Sequence, residues 1–556
     1  MTDSPIWNTH YNHPCTWDQS FDPMSLPDMF FDSARRLNGM PLLDFMGRKY
    51  SYTSVAATAE QVAKGLQDMG IERGTRVGLF LPNVPQYVAA YYGAMAAGAT
   101  IVNFSPLYTP DELAHQVEDS GTTILITLSA KALLPRALEV LENSSLERVI
   151  VGTVAEALPM GKSILYRLFK RGEEAAIPTD SRVSLFAELI DNDGDYDAVD
   201  IDPVNDPAVL QYTGGTTGTP KGAILTHQNL TANARQVNAI DPHHETDEDR
   251  ILGVLPFFHV FANTCVLNRT VMNGGEIVML PRFDAVQALK AINRTKVTAL
   301  PGVPTMYQAL LDCPEIDKTD FSSLRVCISG GAPLSGELKT KFEERTDARL
   351  VEGYGLTESS GVVSVNPYEG LSKTGTIGHP LPGTEVRFVD KEDPSKQVAK
   401  GEPGELIFSG PQVMKGYWNR PDADEDVFLG KFLRTGDVAV IDEEGYVKIV
   451  DRIKDMISVG GFKVFPSQIE EVADHHEQVK EVLVIGVPDE YRGEMPKAFV
   501  TLEDGADIDG SALKDWLNAK LGKHERVTGV VVREELPKTM IGKLDRKALR
   551  AEENVT

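Results

Sequence analysis

The sequence predicts an α/β fold, with a large domain of mostly parallel sheet followed by a small α+β domain. Three observations carry this reading. From about residue 50 to 350, short apolar runs alternate with helix-like segments, the rhythm of strands joined by helical crossovers. From 375 the composition turns β-rich and turn-punctuated, as in Gly404-Glu-Leu-Ile-Phe-Ser-Gly410 and Gly445-Tyr-Val-Lys-Ile-Val450. A charged, non-periodic stretch, Asp451-Arg452-Ile453-Lys454-Asp455, then sets off a last segment of about 100 residues with its own helices and strands. A chain of 556 residues is in any case too long for one compact core.

Taken in order, residues 26–48 follow Ser25 and read as a capped amphipathic helix, and 54–69 continue as helix. Arg76-Val-Gly-Leu-Phe-Leu81 is a buried strand. Residues 87–97 are rich in Ala and Tyr and form a helix ending at Gly98. Then come a strand at 101–104, a helix at 110–120 and a strand at 123–127. Residues 155–190 break the rhythm. Within them Ile164, Leu165, Leu168 and Phe169 fall at helical spacing among Lys162, Arg167, Lys170 and Arg171. An ordinary surface helix is the simpler reading; peripheral contact of 162–171 with an anionic membrane is the alternative.

The apolar run Ala208-Val209-Leu210 leads into Tyr212-Thr-Gly-Gly-Thr-Thr-Gly-Thr-Pro-Lys-Gly222, and a helix-like segment follows at 228–237. Glycines let backbone N–H groups converge on an anion, threonines add hydroxyl donors, and a lysine adds a mobile positive charge. The expected setting is a phosphate loop between a strand and a helix. It is not the hydrolase P-loop, which needs Gly-Lys before Ser or Thr; here the order is Lys221-Gly222. A flexible surface turn is the bland alternative.

Leu255-Pro-Phe-Phe-His-Val-Phe261 sets His259 among aromatics, either as a core residue or in the wall of an apolar substrate site. Residues 276–300 read strand, helix, strand, reaching Gly302 and Val303. Leu324-Arg-Val-Cys-Ile-Ser329 is a strand running into Gly330-Gly331-Ala332, small enough to admit a planar base. Tyr354, Thr357 and Glu358 then offer a ring, a hydroxyl and a carboxylate within five residues, and Asp437 closes Leu433-Arg-Thr-Gly-Asp437. The last segment carries a helix at 466–475, strands at 482–487 and 498–502, a helix near 511–521, and Pro537-Lys-Thr-Met-Ile-Gly-Lys543.

Bulk properties exclude several classes. The net charge of −26, from 55 basic and 81 acidic residues, argues against general nucleic-acid binding. A polyanionic ligand must therefore meet a local basic cluster. Cys15, Cys265, Cys313 and Cys327 are spaced for neither zinc nor a disulfide framework, which suits a reducing cytoplasm. Residues 1–7 lack the features of a signal peptide, and no apolar run reaches the ~18 residues of a spanning helix. Metalloprotease and Gly-x-Ser-x-Gly motifs are missing from the sequence.

The ordered set resembles the adenylate-forming superfamily: acyl-CoA synthetases, luciferases and the adenylation domains of peptide synthetases. The set comprises the loop at 212–222, Tyr354–Glu358, Thr435-Gly436-Asp437, Asp451–Lys454 with Gly460-Gly461, and Pro537–Lys543. The likeness runs from about residue 25 to 550. Asn103-Phe-Ser-Pro-Leu-Tyr-Thr-Pro110 and Gly410-Pro-Gln-Val-Met-Lys-Gly-Tyr-Trp418 look like bacterial long-chain fatty acid–CoA ligases in particular. The resemblance implies two mixed α/β sheets and a distorted β-barrel over 25–450, a hinge at 451–456 and a mobile small domain over 457–550.

The same resemblance implies fatty acid, ATP and CoA as substrates, with Mg²⁺ held by Glu358. Residues Thr213, Gly214, Gly215, Thr216, Thr217, Gly218, Thr219 and Lys221 would cradle the β/γ-phosphates, with Thr357 also on phosphate. Gly331, Ala332 and Tyr354 would frame adenine, Asp437 would take the ribose hydroxyls, and Arg452 would sit near ribose or phosphate. Lys543 would bridge carboxylate and α-phosphate. Lys454 would be the pivot, and Gly460 and Gly461 would serve the thioester step. His259, Phe258, Phe261, Gly302 and Val303 would line the acyl pocket. A cytoplasmic enzyme is implied, with contact at the inner face of the membrane and a homodimer left open. Two other readings stay open: a medium-chain or aryl acid–CoA ligase, and a catalytically silent nucleotide or acyl-CoA binding protein.

Overall fold

The structure is a computed structural model, and it describes residues 10–159, 161–163, 171–213, 220–243, 249–460, 462–489, 491–539, 543–553 and 555. Gly214–Thr219 of the glycine–threonine loop, Gly461, and the apolar face of the basic helix (Ile164, Leu165, Leu168, Phe169) lie outside the described residues.

Local signals set most element starts. Ser25 accepts from the Asp28 N–H and opens the helix Leu26–Arg36. Thr109 and Glu112 form a reciprocal capping box at Pro110–Ser120. The first helix stops at Arg36, well short of residue 48. Gly39 turns the chain at φ +80, and Pro41–Phe45 pairs with Arg48–Ser51 in a hairpin whose turn holds Met46 at φ 53 and Gly47 at φ 99. The two glycine turns override the helical spacing between them, because positive φ suits a tight hairpin turn and not a helix.

Two large sheets result. One runs in the order Val183–Leu185, Arg148–Gly152, Thr122–Leu128, Arg76–Leu79, Thr100–Asn103, Pro207–Thr213, Lys221–Thr226. It is parallel up to its last pair, which is antiparallel. The other places Arg349–Tyr354, Val326–Gly330, Ala299–Gly302, Arg250–Gly253, Glu276–Met279 and Pro41–Phe45 side by side and parallel. The strands are buried and mainly apolar, as expected for sheets covered on both faces, with single polar residues such as Asn103, Gln211 and Ser329 among them. Helices Tyr52–Asp68 and Pro85–Ala96 pack so closely that a Cβ on Gly93 would fall 2.4 Å from the Ala59 carbonyl oxygen.

Beyond them, Glu385–Val389, Gly404–Ser409, Phe432–Ile441 and Val447–Arg452 form an antiparallel sheet. The last part of the chain builds another sheet around the long hairpin Val479–Asp489 and Gly493–Leu502. Helices Pro466–Asp474 and Gly510–Asn518 cover it over an apolar cluster of its own that includes Ile469, Val484, Leu513 and Leu517. Among the described residues no helix is long and apolar enough to cross a membrane. A cleft of about 2470 Å³ opens where the carboxyl ends of the parallel strands, the antiparallel sheet and the last segment meet. That is the usual place for a ligand in such folds.

Candidate active site

The glycine–threonine loop is carried by a hairpin rather than by a strand and a helix. Pro207–Thr213 and Lys221–Thr226 pair antiparallel, with Thr213 opposite Lys221, and the helix begins only at His227. The alternation in Lys-Gly-Ala-Ile-Leu-Thr makes a second strand before Thr226 caps the helix. Lys221 therefore stands at the end of a hairpin, without a helix dipole behind it. Thr213 and Lys221 both line the cleft. The Lys221 ammonium stands 5.2 Å from the centre of the Tyr417 ring.

Tyr417 is a residue that motif reading missed. Its segment docks on the second arm of the hairpin: Trp418 N–H donates to the Gly222 carbonyl at 2.7 Å, and Tyr417 bridges Ala223. From there the Tyr417 hydroxyl donates to Glu358 Oε1 at 2.6 Å. One aromatic ring thus touches the loop lysine and orients the carboxylate. The only sequence hint was the string Gly416-Tyr417-Trp418, whose partners are remote in the chain.

The strand Arg349–Tyr354 delivers Tyr354, and a short turn, Thr357–Ser359, presents Thr357 and Glu358 to the cleft. The Tyr354 hydroxyl donates to Asp437 Oδ2 at 2.5 Å, and Arg452 Nε lies 3.2 Å from Asp437 Oδ1. Asp437 and Arg452 face each other across neighbouring strands. Burial pushes the Asp437 carboxyl up in pKa, while Arg452 pulls it back down. Each Asp437 oxygen keeps a lone pair beyond its present partner, so the pair of oxygens can accept two neighbouring hydroxyls. Glu352, two residues before Tyr354, also lines the cleft; burial pushes it up to about 8.

Lys543 reaches in from the other side. It sits so close to Gly331 that a Cβ there would fall 2.3 Å from Lys543 Cε and 2.6 Å from Nζ. Gly331 has φ +82 and follows the strand Val326–Gly330. Burial, and then the positive Arg452, bring the Lys543 ammonium down to about 8. His259 is half-buried; loss of solvent and then Lys543 push it down to about 3, so its ring is neutral. His259 Nδ1 accepts the Phe261 N–H at 3.3 Å, which leaves the ring proton on Nε2.

Phe258, His259, Phe261 and Val303 line the apolar side of the cleft together with Cys265 and Val260. The Phe261 ring lies against Gly330, where an added Cβ would meet it at 3.0 Å. Gly302 is not among the lining residues; it backs onto the Tyr307 ring. Lys454 lines the cleft from the short turn Ile453–Asp455, its pKa lowered by burial. Gly460, at φ +58, tips the hairpin between Ile457–Val459 and Phe462–Val464 and does not line the cleft. The arrangement therefore brings together Lys221, Glu358, Tyr354, Asp437, Arg452, Lys543 and His259, and leaves Gly302 and Gly460 apart. Lys221, Arg452, Lys454 and Lys543 are among the cations that line this cleft of an acidic protein.

A family model described as AMP-binding enzyme matches residues 30–418, and one described as AMP-binding enzyme C-terminal domain matches 468–543. A long-chain-fatty-acid–CoA ligase of Bacillus subtilis (strain 168) is 39% identical over 557 residues, covering 100% of this chain and 99% of that protein. The crystal structure of ATP-bound MatB from Rhodopseudomonas palustris superposes with a TM-score of 0.83 at 28% identity, over 96% of this chain and 100% of that one. The anthranilate CoA ligase AuaEII, solved in complex with anthranoyl-AMP, superposes with a TM-score of 0.85 at 27% identity, over 96% and 98%.

Proposed function

The chain belongs to the AMP-binding enzyme family, and from that premise we propose that it converts a long-chain fatty acid to its CoA thioester through an acyl-adenylate. The carboxylate oxygen attacks the α-phosphorus of ATP, and pyrophosphate leaves. The CoA sulfur then attacks the acyl carbonyl, and AMP leaves. The observation that carries this reading is Lys543, held against Gly331 beside a neutral His259 and facing the cleft that Glu358 and Asp437 also line.

The first step brings two anions together, so positive charge must already be in place. Lys543 bridges carboxylate and α-phosphate, and Lys221 with Thr213 and the adjoining loop holds the β- and γ-phosphates. Asp437 accepts from the ribose hydroxyls and Tyr354 backs the adenine. His259, uncharged, borders the carboxylate without adding a second fixed cation. Among the described residues no three His, Cys, Asp or Glu side chains gather as a metal cage. Magnesium fits such a site, because it binds through one or two carboxylates plus substrate phosphates. Glu358, oriented by Tyr417, would hold it. Bound there, it would neutralise charge on the phosphate oxygens.

For the second step we assign 25–450 as the large domain, 451–456 as the hinge and 457–550 as the small domain. Rotation about Lys454 withdraws Lys543 and brings in Gly460-Gly461. The present arrangement, with Lys543 inside and Gly460 outside, suits adenylation. A long chain is supported by the wall of Phe258, Phe261, Val260, Cys265 and Val303 and by the Bacillus subtilis relative. The likeness to AuaEII supports an aryl acid as the second reading. The need for ATP and CoA suits a cytoplasmic enzyme that draws its acid from the inner face of the membrane.

Acid-dependent AMP release, measured with ATP, CoA and a panel of acids, decides between them. Release is expected with long-chain fatty acids. Release with aryl acids alone would overturn the long-chain assignment, and no release with any acid would overturn the enzyme.

A further inference from the structure

The segment Leu255–Phe258, which places Phe258 and His259 in the site, takes its backbone hydrogen bonds from side chains of the opposite sheet layer. Asn83 Nδ2 donates to the Leu255 carbonyl at 2.8 Å, and Asn83 Oδ1 accepts the Phe257 N–H at 2.8 Å. The Tyr87 hydroxyl lies 2.9 Å from the Phe257 carbonyl and 2.8 Å from Asn103 Oδ1. Asn103 Nδ2 donates to Gln211 Oε1 at 3.0 Å, and Gln211 Nε2 donates to the Phe258 carbonyl at 2.9 Å. Asn83, Tyr87, Asn103 and Gln211 are 1%, 0%, 3% and 6% exposed. The single Tyr87 proton serves either the Phe257 carbonyl or Asn103 Oδ1, while the amide links through Gln211 and Asn83 are made at the same time. A buried network of this kind is rigid, and each broken link leaves an unpaired polar group.

Gln211 is the link that matters for chemistry. It stands on Pro207–Thr213, two residues before Thr213, so the strand that feeds the phosphate loop also holds the carbonyl next to His259. Both Gln211 and Asn103 line the cleft. The chain is neutral, so it adds no field to a site whose charges are already set by Lys221, Arg452 and Lys543. What it can supply is distance.

We propose that Gln211 is a positioning residue: through Asn103 and Tyr87 it fixes the carboxylate wall, Phe258–His259, relative to the phosphate loop. This rests on the adenylation reading above. Each substrate meets its own side of the cleft whether or not the two sides are aligned. Alignment is needed only while carboxylate and α-phosphate are separate molecules. In the acyl-adenylate they are already joined by a covalent bond.

The test compares half-reactions. Gln211→Met keeps the volume and removes both hydrogen bonds. It is expected to lower kcat for acid-dependent ATP–pyrophosphate exchange on the order of 10–100-fold, as misplacement near 1 Å does. Affinities for ATP alone and for the acid alone, measured by calorimetry, stay within about twofold. Conversion of supplied acyl-adenylate and CoA to thioester also stays within about twofold. Tyr87→Phe changes no volume, folds if Gln211→Met does not, and is expected to show the same asymmetry at a few-fold. If either folded variant loses both half-reactions equally, or neither, Gln211 is not a positioning residue. If the wild-type protein performs no exchange with any acid, the adenylation reading itself has failed.

Discussion

Replacing Gly331 by alanine tests the placement of Lys543 without touching the lysine. A Cβ at 331 would lie 2.3 Å from Lys543 Cε and 2.6 Å from Nζ, against about 3.5 Å for an ordinary carbon contact. The lysine tail is the flexible partner, so it withdraws, by about 1 Å or more. Displacement of that size costs on the order of 10²-fold in a reaction that depends on alignment. Outright loss of a transition-state donor costs on the order of 10²–10³-fold. Alanine at φ +82 adds about 1–2 kcal/mol of backbone strain, enough to lower Tm by about 1–2 °C in a domain of this size without unfolding the chain. Gly331→Ala is therefore expected to lower acid-dependent ATP–pyrophosphate exchange by about 10²-fold, while supplied acyl-adenylate is still converted to thioester. Lys543→Ala should match it, and the double variant should be no worse than Lys543→Ala, since both changes remove one interaction. Normal exchange by Gly331→Ala, or fully multiplicative defects, would refute the role given to this contact.

Other consequences follow from the same geometry. Lys543, lowered to about 8, loses its charge as pH rises through that value; exchange should fall above pH 8 in the wild type, and Lys543→Arg, always charged, should lose that limb whatever its absolute rate. Tyr417→Phe keeps the ring beside Lys221 and removes the donor to Glu358, so the Mg²⁺ concentration for half-maximal rate should rise about 10-fold with acid KM unchanged. Asp249→Asn weakens the buried pairing of Arg269, which is 4% exposed and also pairs with Asp241; urea titration should report a loss of about 3 kcal/mol. His13 and His379 are lowered by burial to about 3 and about 4. Unfolding lets them take up protons below pH 6.5, so stability should drop as pH falls from 6.5 toward 4, and His13→Leu should make the drop shallower in melts across that range.

Chemistry written in contiguous strings was legible in the sequence; chemistry made by remote contacts was not. Thr357 with Glu358, Gly330 with Gly331, and the Lys543 motif each lie in short strings that carry the family resemblance, and the structure sets all of them on one cleft. The parallel-sheet alternation was legible for the same reason, since strand and helix periods are local. The hairpin at Pro41–Ser51 failed that test because Gly39 and Gly47, single residues, decided it. Tyr417 and Glu358 are 59 residues apart, and only the fold makes one orient the other. Gln211 is harder still, because a buried amide inside an apolar strand looks like an ordinary interruption of that strand. Remote contacts also converge on the strands that flank the glycine–threonine loop. Its arms are pinned from both sides: Tyr212 donates to Asp119 at 2.6 Å, Trp418 holds Gly222, and Gln211 holds the Phe258 carbonyl. Since the chain passes from Pro207–Thr213 to a second strand before its helix, an anion bound on the proposed reading would meet Lys221 without a fixed dipole behind it. The pinned arms tie Thr213 and the Phe258 carbonyl to one strand, through Gln211.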